Sequence, residues 1–183
     1  MKPEDCHHIF AYGSLMWRPD FEYVNSELGK IVGYHRRLSI ISHHYRGTPE
    51  KPGLVLGLDI GGSCVGVLFE VEPVKWPDVL AYVRKRELVS EAYREVVKSV
   101  QQVDQLKTVQ AVTYVVNHDH TQFFAPQPIA KTLSIVKQGH GLAGSCVDYI
   151  LNTVAHLRGL GIHEAELEDI IAHLPNSSSA NPS

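Results

Sequence analysis

Leu54-Val55-Leu56-Gly57-Leu58-Asp59-Ile60, Gly61-Gly62-Ser63, then Cys64-Val65-Gly66-Val67-Leu68-Phe69-Glu70-Val71-Glu72 is the stretch on which the fold class turns. Two apolar, β-prone runs flank a Gly-Gly-Ser segment, and glycine accepts the positive φ that a tight hairpin demands. The expectation is a hairpin with strands at 54–60 and 64–72. Strands joined this closely run antiparallel, which favours a curled sheet or small barrel over a doubly wound sheet.

Working outward, further strands are expected at 8–12, 29–34, 38–43, 93–103 and 109–116. The 93–103 segment carries the β-branched Val96, Val97, Val100 and Val103, which outweigh charges that would permit a helix. Pro77 and Asp78 open a helix in which Val79, Leu80, Val83 and Glu87 share one side, with proline tolerated in the first turn. The last third is helical, at 129–138, 145–157 and 164–174. No repeat or linker divides the chain. The pattern predicts one α+β domain over residues 1–175 and an unstructured tail at 176–183.

A chain of 183 residues, 44% hydrophobic and 20% charged, is long enough to bury a core without staples. Its net charge of −3 argues against a nucleic-acid partner, and the short run Arg84-Lys85-Arg86 reads as a solvated helix face. Cys6, Cys64 and Cys146 are scattered, with no C-x-x-C pair, so neither a disulfide framework nor a zinc ribbon is predicted and a reducing cytosol is the expected home. The polar N-terminus lacks a signal-peptide core, and no apolar run has the length of a membrane span. A small-molecule enzyme or a protein-interaction domain remains.

Ile9-Phe10-Ala11-Tyr12-Gly13-Ser14-Leu15 is an apolar strand that stops at a Tyr-Gly-Ser turn. Peptide N–H groups fanned at a strand end form an anion or oxyanion cradle without any charged side chain. Tyr12 could equally be a core aromatic at that strand end. Gly139-His140-Gly141-Leu142-Ala143-Gly144 matches G-x-G-x-x-G literally, but a helix precedes it where a dinucleotide site needs a strand. Gly139 reads instead as a helix C-cap followed by a tight helix–helix connection. The eleven histidines show no H-E-x-x-H or carboxylate-rich ligand set, so no metal is expected. Ser14 does not sit in a G-x-S-x-G elbow. Charge pattern alone makes Glu87 a surface glutamate paired along its helix, although burial there would raise its pKa and the adjacent cations would lower it.

Tyr12-Gly13-Ser14-Leu15-Met16-Trp17, Gly33-Tyr34-His35-Arg36-Arg37, the run from Arg46-Gly47-Thr48-Pro49-Glu50-Lys51-Pro52-Gly53 to Leu54-Val55-Leu56, Arg86-Glu87 and Tyr93 together resemble the ChaC-like γ-glutamylcyclotransferases. Asn152-Thr153-Val154, His156-Leu157 and Leu160-Gly161-Ile162 continue the likeness, in order and spacing, into the last helix.

The resemblance implies the γ-glutamylcyclotransferase fold, a small curled-sheet domain with flanking helices. It also implies cleavage of glutathione to 5-oxoproline and cysteinylglycine in the cytosol, with no cofactor, metal, nucleic acid or membrane involved; the oligomeric state is left unassigned. It puts the catalytic glutamate at Glu87 and the substrate loop at Ile9, Phe10, Ala11, Tyr12, Gly13, Ser14 and Leu15. Tyr149, in Gly144-Ser145-Cys146-Val147-Asp148-Tyr149-Ile150, becomes a substrate contact, and Cys146 stands where the family has asparagine. Arg36 and Arg37 are read as strand-face ion pairs outside the site. Two other activities fit the same residues: cyclisation of other γ-glutamyl amines or amino acids, and a catalytically silent binding domain.

Overall fold

The structure, a computed structural model, describes residues 1–105 and 107–174; the tail expected at 176–183 lies outside them. The chain divides into two compact units, residues 1–40 with 56–125, and residues 41–55 with the chain from 126 on.

A closed barrel is formed by β1 (His8–Ala11), β2 (Asn25–Ser42), β3 (Gly53–Glu70), β4 (Tyr93–Gln102) and β5 (Thr108–Val116), in the order β1-β3-β2-β4-β5, and all of it but residues 41–42 of β2 and 53–55 of β3 belongs to the first unit. β1 pairs antiparallel with β3 from His8↔Glu70 to Ala11↔Val67, and parallel with β5 at Ile9↔Val112. β4 and β5 form an antiparallel ladder from Tyr93↔Val116 to Gln101↔Thr108. The α+β class and the curled, mostly antiparallel sheet are therefore as expected.

The hairpin at Gly61-Gly62-Ser63 is not formed. β3 is one strand of 18 residues, and Gly61 (φ 107°) and Gly62 (φ 62°) bend it without ending it. The strands expected at 29–34 and 38–43 are likewise one strand, β2, which contains Gly33 at φ 87°. The long partners are β2 and β3 themselves. A Cβ on Gly57 would meet Ser39, one on Gly61 would meet His35, and one on Gly29 would meet Leu68, so the two strands run in opposite directions. Positive φ serves a bend inside a barrel strand as well as a turn between strands, and local sequence does not separate the two.

Inside the barrel, Phe10, Tyr12, Ile31, Leu58, Leu68, Val100, Ala111 and Val115 form one buried cluster. Helix α1 (Trp76–Glu87) buries Trp76, Val79, Leu80 and Val83, the i, i+3, i+4, i+7 stripe of a helix packed on a core. One buried ion pair crosses the strands: Arg37 Nη1 donates to Asp59 Oδ2 at 2.8 Å and to the Phe124 carbonyl at 3.1 Å. His118 Nε2 lies 2.5 Å from the other Asp59 oxygen. Arg37 is thus the strand-face ion pair anticipated for it.

The second unit holds α2 (Ile129–Gln138), a short hairpin of β6 (His140–Gly141) and β7 (Gly144–Ser145), α3 (Cys146–Gly159) and α4 (Ala165–Ala172). Gly139 is the C-cap of α2, in extended backbone (φ −69°, ψ 120°). Ser145 caps α3 by accepting the Asp148 N–H at 2.9 Å, as a serine N-cap does. Leu142 and Ala143 N–H donate to the His44 and Tyr45 carbonyls, both at 2.9 Å, tying the hairpin to the 43–53 segment. Glycine permits this crossing: a Cβ on Gly53 would lie 2.0 Å from the Arg46 carbonyl oxygen, and one on Gly139 2.6 Å from it. No helix of the described residues is long and apolar enough to cross a membrane.

Gly53→Ala forces backbone against backbone, so we expect it to lower unfolding stability by about 1–3 kcal/mol in urea titration. Gly159→Ala, whose Cβ would meet nothing within 4 Å, is expected to leave stability equal or raise it by up to about 1 kcal/mol.

Candidate functional site

β1 leaves its ladder after Ala11, and Ser14–Met16 closes a single 3-10 turn. The Met16 N–H donates to the Gly13 carbonyl and the Arg18 N–H to the Ser14 carbonyl, each at 2.9 Å. First-turn amides have no acceptor within their own helix, and among the described residues the N–H groups of Gly13, Ser14 and Leu15 have none elsewhere. A Cβ on Gly13 would meet nothing within 4 Å, so open space lies beside these donors. The side chains of Ile9, Phe10, Ala11, Tyr12 and Leu15 are buried. What this loop can offer a ligand is therefore mainly backbone.

A buried arginine holds the turn from beneath. Arg36, 2% exposed, donates Nε to the Tyr12 carbonyl at 2.5 Å and Nη2 to the Val65 carbonyl at 2.7 Å. Arg36, expected as a strand-face ion pair, holds these two backbone carbonyls. Adjacent residues on a strand point to opposite faces, so Arg36 and Arg37 have separate partners.

Glu87 continues the apolar stripe of α1 by one more turn, and only 19% of its side chain is exposed. Burial pushes its carboxyl above the ordinary glutamate range, against the opposing pull of Arg86. Arg86 Nε lies 3.5 Å from Glu87 Oε1, and its Nη2 donates to Ser14 Oγ at 3.1 Å. One guanidinium thus bridges Ser14 of the 12–15 turn and the Glu87 carboxylate.

The neighbouring polar groups belong to one network. Arg84 grips Glu95 with Nε at 2.9 Å and Nη2 at 2.6 Å, and reaches Glu4 at 2.8 Å. Tyr114 donates its hydroxyl to Glu95 at 3.0 Å. Burial, the charge of Glu95 and that of Glu87 all raise the Tyr114 pKa, which puts Glu87 within electrostatic reach of the phenol. The solvated face expected for Arg84-Lys85-Arg86 is therefore corrected: Lys85 is exposed, whereas both arginines are engaged. Their partners Glu95, Glu4 and Ser14 are 11, 80 and 72 residues away, so charge pattern along the helix carried no signal for them. Glu95 and Tyr114 carry no local signal for the same reason.

Tyr149 lies in the second unit, on α3, with the Arg46 guanidinium 5.1 Å from its ring centroid. Arg46 Nη1 also donates to the carbonyls of Ala143 and Ser145. Cys146 is fully buried beside the Leu54 peptide: its thiol donates to the Leu54 carbonyl at 3.1 Å and accepts the Leu54 N–H at 3.3 Å. Burial pushes that thiol up to about 11. It is a neutral donor and acceptor, the two capacities an asparagine side chain also has. Among the described residues no three His, Cys, Asp or Glu side chains group as metal-ion ligands.

The ChaC-like protein family matches residues 7–177. A glutathione-specific γ-glutamylcyclotransferase of Escherichia coli (strain K12) is 27% identical over 94% of this chain and 74% of its own length. Glutathione-specific γ-glutamylcyclotransferase 1 of Danio rerio is 32% identical over 86% of this chain and 85% of its own length. The crystal structure of a yeast γ-glutamylcyclotransferase specific to glutathione shares the fold, with a TM-score of 0.78 at 19% identity over 90% of this chain and 96% of its own. With sequence and fold in agreement over almost their whole extent, the chain belongs to the ChaC-like protein family.

Proposed function

We propose that this protein is a γ-glutamylcyclotransferase that cleaves glutathione to 5-oxoproline and cysteinylglycine. Family membership and the relatives' activity support the reading. The observation that carries it is Glu87, a half-buried carboxylate joined through one arginine to the turn whose Gly13, Ser14 and Leu15 amides have no acceptor among the described residues.

The γ-glutamyl group brings its own nucleophile. Its α-amine, with a free pKa of about 8, enters the reaction as the neutral amine. Glu87 takes a proton from this nitrogen as the nitrogen bonds to the γ-carbonyl carbon, and the five-membered ring closes. The bond from that carbon to the cysteinyl nitrogen then breaks, and Glu87 returns the proton to the departing nitrogen. Loss of a proton from the substrate ammonium and gain of one by the released amine cancel through solvent. No covalent enzyme intermediate is needed.

Burial suits Glu87 to both halves of this exchange, because a raised pKa brings acid and base forms closer in population near neutrality. The amides of the 12–15 turn take the developing oxyanion or the substrate α-carboxylate. Holding the glutamyl chain folded back supplies the remaining acceleration, since oriented intramolecular attack reaches effective molarities of roughly 10⁵ M or more. We further propose that residues 1–175 act as one catalytic domain, with Tyr149 as a substrate contact. The protein works in the cytosol without nucleic acid or membrane, consistent with three buried free cysteines.

Glu87→Gln is expected to lower 5-oxoproline release from glutathione by at least about tenfold and to keep the fold. A carboxyl whose pKa is raised on folding loses stability as pH climbs from its unfolded to its folded pKa. Above that window the glutamine variant should therefore melt at or above the wild-type temperature; retained activity removes Glu87 from the acid–base role. Gly13→Ala places a methyl in the open space beside the turn amides, so KM should rise about tenfold at unchanged melting temperature if the turn binds substrate. In a panel of glutathione, γ-glutamyl-alanine and γ-glutamyl-lysine, glutathione is expected to turn over fastest, and dialysis against chelator should leave that rate unchanged. Preference for either other substrate moves the activity to that γ-glutamyl class.

A further inference from the structure

Arg86 is held far more tightly than a surface arginine. Its side chain is 23% exposed. Nη1 donates to the Arg18 carbonyl at 2.7 Å and reaches the Asp20 carboxylate and the Tyr82 hydroxyl at 3.3 Å each. Nη2 holds Ser14 Oγ at 3.1 Å, and Nε faces Glu87 Oε1 at 3.5 Å. Asp20 sits in left-handed backbone (φ 54°), uncommon for a residue with a Cβ, and the contact with Arg86 helps secure that conformation. The turn, the segment after it and the carboxylate therefore meet on one rigid plane.

We propose that Arg86 is a positioning residue that sets the separation and orientation of the 12–15 turn relative to the Glu87 carboxylate. The proposal rests on the assignment of Glu87 as the acid–base group. Planarity is what the task requires. A guanidinium offers several N–H donors in fixed directions, whereas a lysine ammonium is a single point charge on a flexible stem.

The same placement has an electrostatic consequence. The charged and titratable groups that bear on Glu87 are Arg86 on α1, which also holds Asp20 and Tyr82, and Tyr114 on β5, which is bonded to Glu95 on β4. Arg84 is committed to Glu95 and Glu4, which leaves Arg86 as the cation opposing the burial of Glu87. Without that charge the carboxyl pKa climbs further, and the base form is lost at a higher pH.

The test is 5-oxoproline formation from glutathione by the full-length Arg86→Gln and Arg86→Lys variants between about pH 5 and 9. For Arg86→Gln, kcat/KM should fall about tenfold or more at neutral pH, with its acid limb moved up by about one pH unit. For Arg86→Lys, the limb should stay near the wild-type position while kcat remains at least about fivefold down, because the charge is kept and the fork is lost. An acid limb unmoved in Arg86→Gln overturns the proposal, whatever happens to the rate. If the glutamine variant does not fold, the lysine variant decides, and wild-type kcat there overturns it. The Glu87→Gln result separates the two levels. Loss of activity in that variant with unmoved Arg86 profiles rejects only the role of Arg86, while survival of activity rejects the assignment of Glu87 itself.

Discussion

The barrel closes where a four-residue strand lies between β3 and β5, beside a direct β3–β5 pairing at Leu58↔Val115. His8–Ala11 is flanked by β3 on one side and β5 on the other, and a strand with two partners leaves no open edge. The same pairing locates the turn. Ala11↔Val67 is the last pair with β3; beyond it the backbone amides lose their ladder, and the three that follow Tyr12 have no protein acceptor among the described residues. A slip of one residue in that register would turn Ile9, Phe10 and Ala11 to opposite faces. Fold stability and the position of the candidate cradle therefore have a common origin. Arg36 reinforces it by holding the Tyr12 carbonyl from β2.

Helix α1 imposes the second condition. Its apolar stripe is spaced so that the next position on the same face is Glu87, and a carboxylate there is desolvated by the same packing that holds the helix. Burying an ionisable group is unfavourable unless it is compensated. The two carboxylates near Tyr114 meet this differently. Glu95 is gripped by two nitrogens of Arg84, whereas among the described residues Glu87 has only the flank of Arg86 at 3.5 Å. Glu95 is thus held in a two-nitrogen ion pair, while burial raises the Glu87 carboxyl above the ordinary glutamate range.

In the second unit, glycine and a thiol do the structural work. Gly53, Gly139 and Gly141 allow the 43–53 segment and the β6–β7 hairpin to approach closer than any Cβ would permit. The buried Cys146 thiol bonds both the N–H and the carbonyl of the Leu54 peptide.

Much of this was legible along the chain. β1, β4, β5 and all four helices could be placed from periodicity, proline and caps, since each signal lies within a few residues of the element it marks. The stripe Val79, Leu80, Val83, Glu87 even pointed to the face on which Glu87 lies. Gly61 and Gly62 misled, because positive φ marks a change of chain direction without saying whether the strand resumes. What makes Glu87 unusual is its company: Ser14 joined to it through Arg86, Arg18 and Asp20 on the far side of that guanidinium, Glu95 and Tyr114 from two other strands. Those neighbours come from positions tens of residues apart, and electrostatics acts through distance in space. Local pattern was enough to say which elements form, while only the closed barrel could turn an ordinary surface glutamate into a half-buried acid beside a cradle of amides.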